Sequence, residues 1–314
     1  MISALTRVLP RRVQYALSRP ISGLYYALAG SKRRAVQQNL RGLLGPDVSD
    51  ALLRRETRGA FRSFGYYLCE FFSSAHWSPE FFDEHVIVTG REHLDAALKD
   101  GRGAIFCPGH YSSWELGAMI VAHMGYPITA VVQEHGDPEN HALFVKQREA
   151  KGVHVVASRN GAVGSLRALR ANQTVALMGD RTTGGPVVPV EFLGRRAWFP
   201  PGPWRIALTT GAALLPTFIT RRENNNFTLD IGAPLPHPTE GTLQQRMQKL
   251  AQDWTRVFEA RLRSDPSQWA AFYDVWAAPW PAGARTGVDE GEETDAAGEA
   301  AVFTQKRSST EHVA

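Results

Sequence analysis

The chain is poor in cysteine and has no long apolar run. Its 314 residues contain two cysteines, Cys69 and Cys107, both in apolar stretches typical of buried thiols in a reducing compartment. The longest uncharged piece near the amino terminus, residues 20–31, is far shorter than the roughly 20 apolar residues that a spanning helix needs. Arginines interrupt every candidate signal-peptide core. These absences argue against a disulfide-stabilised secreted domain and against a membrane-spanning one.

Acidic residues are missing from the amino-terminal part. Residues 1–46 hold eight Arg or Lys and no Asp or Glu, together with apolar and aromatic side chains. This mixture favours a basic amphipathic segment at a membrane surface over a nucleic-acid arm. We therefore interpret residues 1–31 as a membrane-associating segment and expect no nucleic-acid partner. The alternative is an ordinary first helix with solvated arginines.

The remaining pattern predicts a mixed α/β sheet that is covered on both faces. Residues 32–75 recur at helical spacing and predict two or three amphipathic helices, and Gln244–Asp265 predicts another. Runs such as AIFC and VALM lack polar alternation, which is typical of strands buried on both sides. From Pro279 onward the composition predicts disorder, so the domain is placed at 32–276 and a disordered tail at 277–314. The predicted strands are Val86–Val88, Ala104–Cys107, Ile128–Gln133, Val153–Ala157, Thr174–Met178, Val187–Phe192, Ala212–Ile219 and Phe227–Ile231.

The stretch GHYSSWELG places His110 after a buried strand and a Pro-Gly turn, and before a helix. Ligand chemistry in open α/β sheets concentrates beyond the carboxyl ends of strands, so this position favours function. Glu115 has two interpretations. As the partner of His110 it would fix the imidazole tautomer and leave the other nitrogen to accept a proton. As the last residue of a Ser112-x-x-Glu115 capping box it would stabilise the helix start.

Competing catalytic signatures are missing. The chain has no G-x-S-x-G elbow, no phosphate-binding loop with its Lys-Ser/Thr, and no metal-spaced His/Cys cluster. His135 and His141 flank an acidic loop, where solvated histidines are a better interpretation than metal ligands.

Several blocks together resemble a known family. HYSSWE has the His-x4-Asp/Glu form of the lysophospholipid and glycerolipid acyltransferase superfamily, and its Trp-Glu ending is similar to the late acyltransferases of lipid A biosynthesis. In that branch Gly-Asn commonly stands where this chain has Ser112-Ser113, and a glutamine often stands in place of Arg181. The further matching blocks are RAVQQNLRGL, VTGREHLDAALKDGRGAIFCPGH, SRNGAVGSLRALRANQTVALMGDR, VPVEFLGRRAWFPPGPWRIALTTGAALLPTFI and WTRVFEARLRSDPSQWAAFYDVW.

The resemblance implies a glycerolipid acyltransferase-like fold and an enzyme that moves an acyl group from a thioester, on acyl carrier protein or coenzyme A, to a lipid hydroxyl. It implies no metal or tightly bound cofactor, and a peripheral location on the cytoplasmic face of a bacterial inner membrane. The acceptor it suggests is a lipid A precursor or related glycolipid. Alternatives are a lysophospholipid, a phosphatidylinositol mannoside or an amino-lipid, and in another class a non-catalytic lipid-binding protein.

The same resemblance assigns candidate residues. His110 and Glu115 are the expected catalytic pair, and a guanidinium fork suits the phosphate of a lipid acceptor. The alternative interpretation of the two arginines is a surface or structural ion pair, with Arg181 held by Asp180. The stretch AWFPPGPW is interpreted as acyl-channel lining, as a segment at the membrane interface, where tryptophans are favoured, or as a packed core loop. Expected substrate-binding residues are Arg159, Asp180, Arg181, Phe192, Gly194, Gly202 and Pro203.

Overall fold

A seven-stranded sheet forms the centre of the protein and carries a hydrophobic core on each face. The computed structural model describes residues 9–133, 137–182 and 185–277. Successive residues of the strand Ala104–Cys107 belong to opposite cores: Ile105 and Cys107 pack into one cluster, Ala104 and Phe106 into the other. A strand buried on both sides has no polar face, which explains the unbroken apolar run.

Helices and strands alternate through most of the described chain. The helices are α1 (Arg11–Leu28), α2 (Gly30–Leu44), α3 (Asp50–Ser74), α4 (Pro79–His85), α5 (Arg91–Lys99), α6 (Trp114–His123), α7 (Pro138–Glu149), α8 (Gly161–Arg170), α9 (Gly202–Thr210) and α10 (Leu243–Ser264). The strands are β1 (Val86–Thr89), β2 (Ala104–Cys107), β3 (Ile128–Val132), β4 (Val153–Ala157), β5 (Thr174–Ala176), β6 (Val188–Phe192), β7 (Arg195–Phe199), β8 (Ala213–Arg221) and β9 (Phe227–Ile231).

The main sheet has the order β1-β9-β8-β2-β5-β3-β4. The pairs β1–β9, β8–β2, β2–β5, β5–β3 and β3–β4 are parallel, and β8–β9 is antiparallel. The sequence prediction of a mixed α/β sheet is therefore confirmed. The carboxyl ends of β2, β5, β3 and β4 lie along one edge, where loops from distant parts of the sequence meet.

Strands β6 and β7 form a separate antiparallel hairpin outside the main sheet. The sequence analysis missed β7, because two arginines open RRAWF and only three of its residues are apolar or aromatic. A two-residue turn joins the strands, with both Leu193 and Gly194 at positive φ. That geometry matches the twist of a tight hairpin, so an X-Gly pair between two short strand-forming runs was the available signal.

Helix α1 buries a polar face and exposes an apolar one. Gln14, Ser18 and Ser22 point into the protein, and Tyr15 packs on Tyr66 of α3 with ring centroids 4.3 Å apart. The exposed large apolar residues of α1 include Val13, Leu17, Ile21, Leu24 and Leu28. Within the described part of the chain, no helix combines the length and apolarity needed to cross a bilayer. The predicted tail falls almost wholly on residues 278–314, outside those that the structure describes.

Candidate active site

His110 is held by Asp180 through two hydrogen bonds. Its Nδ1 lies 2.8 Å from Oδ1 of Asp180, and its backbone N–H donates to Oδ2 at 2.9 Å. Asp180 is 6% exposed. An ionised carboxylate can only accept hydrogen bonds, so the proton belongs on Nδ1 and Nε2 is left as a base. Among the described residues none hydrogen-bonds Nε2, and His110 lines a large cavity.

The sheet order explains why these two residues meet across 70 positions of sequence. His110 follows β2 and Asp180 follows β5, and β2 and β5 are parallel neighbours. Gly179 N–H donates to the Pro108 carbonyl at 2.9 Å, which ties the two loops together directly beyond the strands. Parallel pairing therefore delivers an acid and a base to the same edge of the sheet.

Two glycines allow helix α10 to pack closely beneath these loops. A Cβ at Gly109 would lie 2.5 Å from the Phe258 ring, and a Cβ at Gly179 would lie 2.8 Å from the Cys107 sulfur. Trp254 of α10 donates its indole N–H to the Cys107 carbonyl at 2.8 Å. Side chains at either glycine position would push the loops off α10, so these glycines have a packing requirement.

Glu115 makes a hydrogen bond neither to His110 nor to the start of its own helix, so neither of its two predicted interactions forms in this structure. Its two carboxylate oxygens accept from Arg148 Nε and Nη2 at 2.7 and 2.5 Å. Arg148 also lies over the rings of Phe71 and Phe144. Burial disfavours the charge on Arg148, but the attraction of Glu115 outweighs it, so the pKa of the guanidinium is raised. This pair joins α6 to α7 beside the cavity.

The capping box fails because α6 begins later than expected. Ser113 is the N-cap of α6, and its hydroxyl donates to Glu70 of α3 instead of capping the helix. Ser112 has φ +53°, in the left-handed region that favours glycine. Its hydroxyl accepts from the Arg221 N–H at 3.1 Å, and its own N–H donates to the Gln268 carbonyl at 2.7 Å. These bonds hold a serine where the resembling family commonly has glycine.

The cavity has a volume of about 1040 Å³ and two chemically different parts. Its inner walls are apolar and come from both the sheet and α6, including Phe106, Val121, Ile128, Ile219 and Leu229. Its lining also includes the cations Lys32, Arg159 and Arg181 and the polar residues Gln133 and Thr182. The cavity is therefore lined by buried apolar residues and by exposed cations at its rim, and His110 lies on its wall.

Arg159 and Arg181 are exposed and line the cavity, as a substrate-contact role requires. Arg159 follows β4 on a 3₁₀ turn, Ser158–Asn160, and Arg181 follows Asp180 with its guanidinium 4.8 Å from the Tyr273 ring centre. The predicted ion pair of Arg181 with Asp180 does not form, because Asp180 uses its carboxylate on His110. Burial, with Asp180 nearby, raises the pKa of Tyr273 well above its ordinary value.

The AWFPPGPW stretch contributes residues to both the cavity wall and the core. Pro200, Pro201, Gly202 and Pro203 line the cavity, while its large aromatic residues Phe199 and Trp204 are buried in the core. Gly202 and Pro203 open helix α9, so their placement agrees with a substrate-facing position.

Phe192 and Gly194 lie apart from the residues that line this cavity, and each has a structural contact. Phe192 is buried against Phe258 and accepts a hydrogen bond on its carbonyl from the Trp276 indole at 2.9 Å. Gly194 completes the β6–β7 turn at φ +73°, where a side chain would be strained.

Sequence reasoning missed Lys32, Arg148 and Tyr273 at this site. Arg148 lies near the end of α7 beside the charged residues Lys146 and Glu149, and nothing local distinguishes it from them. Its hydrogen bonds to Glu115 of α6, which only the folded structure shows, distinguish it from them. Over the described residues, no group of three or more His, Cys, Asp or Glu is arranged to hold a metal ion; His135 lies outside that part of the chain.

The chain is similar in sequence to known acyltransferases. The model of a family described as bacterial lipid A biosynthesis acyltransferase matches residues 1–277. A phosphatidylinositol mannoside acyltransferase of Mycolicibacterium smegmatis is 26% identical over 265 residues, covering 82% of this chain and 84% of that protein. One from Mycobacterium tuberculosis is 27% identical over 263 residues, covering 81% and 80%. The family resemblance is thereby confirmed, and the chain belongs to the bacterial lipid A biosynthesis acyltransferase family, whose members are acyltransferases.

Proposed function

We propose that this enzyme transfers a fatty acyl group from an acyl thioester to a hydroxyl of a phosphate-bearing glycolipid, with His110 as the general base. The observation that carries the proposal is the His110–Asp180 pair on the wall of a cavity that is apolar inside and cationic at its rim. A hydroxyl is a poor nucleophile at neutral pH, so its attack needs a base within reach.

The proposed step uses both imidazole nitrogens. Nδ1–H donates to Asp180, which orients the ring and stabilises the imidazolium that forms. Nε2 takes the proton as the hydroxyl oxygen bonds to the thioester carbonyl carbon. Collapse of the tetrahedral intermediate breaks the carbon–sulfur bond, and the proton passes from Nε2 to the departing thiolate. The products are an ester and a free thiol on coenzyme A or acyl carrier protein.

The cavity supports each half of the substrate pair. Its apolar walls, from Phe106 through Val121 to Leu229, suit an acyl chain. Lys32, Arg159 and Arg181 suit a phosphate, since guanidinium groups bind it bidentately and an ammonium binds it as a point charge. The proposal needs no tightly bound cofactor.

We favour a phosphatidylinositol mannoside-type acceptor over a lipid A precursor. Two relatives that align over at least 80% of their own length are phosphatidylinositol mannoside acyltransferases. The lipid A precursor remains the second candidate, because the family model carries that description. Both acceptors combine sugar hydroxyls with phosphate, so the same rim serves either.

We further propose that α1 docks on the cytoplasmic face of the bacterial inner membrane. A helix that buries Gln14 and Ser18 while exposing Leu17 and Ile21 is suited to an apolar surface, and Arg12 and Arg19 are exposed to meet anionic headgroups. Tyr25 of α1 lines the cavity, which brings the membrane-facing helix to the substrate opening.

The test is mass spectrometry of total lipids from cells with and without this protein, complemented by wild type or by His110→Ala. The expected result is loss of one acyl chain from a mannosylated phosphoinositide, restored by wild type alone. Loss from lipid A would support the second acceptor. Full complementation by His110→Ala would refute the base assignment, and no lipid change would refute the proposed activity.

A further inference from the structure

Gly117 is a helical glycine that neither backbone conformation nor packing requires. It lies inside α6 and is not among the glycines with positive φ. A Cβ there would meet one atom, Leu229 Cδ1, at 3.6 Å, which is an ordinary van der Waals contact. Glycine in a helix interior is less stable than alanine, so the missing side chain has a cost in helix stability without a gain in packing.

The surroundings of Gly117 indicate which space the absence of a side chain leaves open. Gly117 lines the apolar part of the cavity together with Ala118 and Val121 of the same helix and Leu229 of β9. The lining continues to Ile128, at the amino end of β3 and therefore about 13 Å along that strand from its carboxyl end. His110 lies at the carboxyl edge, so Gly117 occupies a position on the wall between the reacting end and Ile128.

We propose that residue 117 determines the length of the acyl chain that the enzyme accepts, with glycine keeping the inner cavity open to long chains. The inference rests on the proposed function in that the cavity holds the acyl group. Side-chain atoms added at 117 occupy the space of chain methylenes, because a close-packed apolar channel cannot hold both. Alanine fills the crevice against Leu229, whereas valine and leucine extend into the channel.

The experiment measures binding of saturated acyl-coenzyme A thioesters of increasing length to the full chain by calorimetry. In wild type each methylene that enters the channel strengthens binding by about fourfold. In Gly117→Leu this gain should end roughly four carbons sooner, since leucine adds four heavy atoms. Gly117→Val should give an intermediate limit, and the affinity for short chains should stay within about twofold of wild type.

A matched control separates the channel effect from glycine replacement itself. Gly23 of α1 is exposed, has no atom within 4 Å of a built Cβ, and does not line the cavity. Gly23→Leu should keep the wild-type length limit. If Gly117→Leu does not fold, Gly117→Val carries the comparison, with Gly117→Ala, which does not reach the channel, as its reference.

Equal loss of affinity for all chain lengths, or an unchanged limit in Gly117→Val, would overturn the assignment. Failure of the proposed function has a different signature, because the wild-type protein would then bind acyl thioesters without changing any cellular lipid. The two ideas therefore fail in separate measurements.

Discussion

Asp180 uses both carboxylate oxygens on His110, whereas Glu115 uses both on Arg148. Asp180 is therefore placed to act on the proton of the imidazole, and Glu115 is placed to hold α6 against α7. The sequence motif joins His110 to Glu115 because they are close in the chain. The hydrogen bonds join His110 to a residue 70 positions away.

Asp180→Asn should lower kcat by about 10³- to 10⁴-fold and leave KM nearly unchanged. The amide oxygen of asparagine can still accept the hydrogen bond from the His110 backbone N–H, so its NH₂ group faces Nδ1. Because NH₂ is a donor, Nδ1 must accept, and the ring proton moves to Nε2, which is then no longer a base. Steady-state transfer kinetics on the purified enzyme check this. A variant with wild-type kcat would remove Asp180 from the mechanism.

Glu115→Gln is the matched control, since it makes the same chemical change at the other carboxylate. It leaves the Arg148 charge buried without a full partner and should lower the free energy of unfolding by about 3 kcal/mol. Denaturant unfolding measures that loss. At a temperature where both variants are folded, its kcat should exceed that of Asp180→Asn. The reverse order would restore Glu115 as the partner of His110.

At the scale of elements, α1 has its polar side chains inside and apolar ones outside. Tyr15 of α1 donates to Glu70, which is also bound by Arg221 and Ser113. Glu70 and Arg221 are both buried, so this polar network ties α1 to α3, to β8 and to the start of α6. The polar inner face thus has partners in the protein, and the apolar outer face is left for another surface.

The double substitution Leu17→Glu with Ile21→Glu should weaken binding to anionic phospholipid vesicles by about tenfold to a hundredfold without lowering thermal stability. Both side chains are exposed, Ile21 by 67%, so the folded protein loses no core contact. Vesicle co-sedimentation measures the binding. Val163→Glu on α8, with an equally exposed apolar residue, should bind as wild type does. Unchanged binding by the double variant would contradict docking through α1.

Sequence patterns located individual elements well where one physical signal dominated. Ala104–Cys107, Val153–Ala157 and Phe227–Ile231 were predicted with the bounds that the structure has, because their apolar runs end in polar or turn residues. β5 ends two residues early, at Ala176, although VALM continues the apolar run. The Leu177 N–H donates to the Phe106 carbonyl, which is the last bond of the β2–β5 ladder, and beyond it the Gly179 N–H donates to the Pro108 carbonyl. The end of this ladder is set by the neighbouring strand, so the apolar run alone does not show it.

At the scale of the whole molecule, the site depends on strand order, which no local pattern contains. His110 was found as a candidate because it follows a predicted strand, and Asp180 and Arg159 were assigned through the family resemblance. Their grouping requires β2, β5, β3 and β4 to be parallel and in that spatial order, while the chain visits them as β2, β3, β4, β5. Arg148 and Lys32 reach the cavity from helices and had no strand-end signal.

Burial of many ionisable groups also gives the whole molecule a pH dependence. Burial raises the pKa of Tyr15, Tyr67, Tyr273 and Cys107 well above their ordinary values, and raises that of Tyr111 to about 12. Between the unfolded and folded pKa values the native state binds more protons than the unfolded state. The free energy of unfolding therefore falls as pH rises in that window.

Stability should accordingly be full below about pH 8 and should decline steeply from about pH 9 to about pH 11, as unfolded thiols and phenols ionise while native ones stay protonated. Tyr111 alone contributes a slope of about 1.4 kcal/mol per pH unit above its unfolded pKa of about 10. Urea unfolding at a series of alkaline pH values measures the decline, and Tyr111→Phe should flatten it by that amount because a buried phenyl ring has nothing to ionise. A free energy of unfolding that stayed constant to about pH 11 would contradict this prediction. It would mean that these groups ionise as readily in the folded protein as in the unfolded chain. Tyr111 and Cys107 are buried in the core beside the loops that carry His110 and Asp180, and burial disfavours their charged forms.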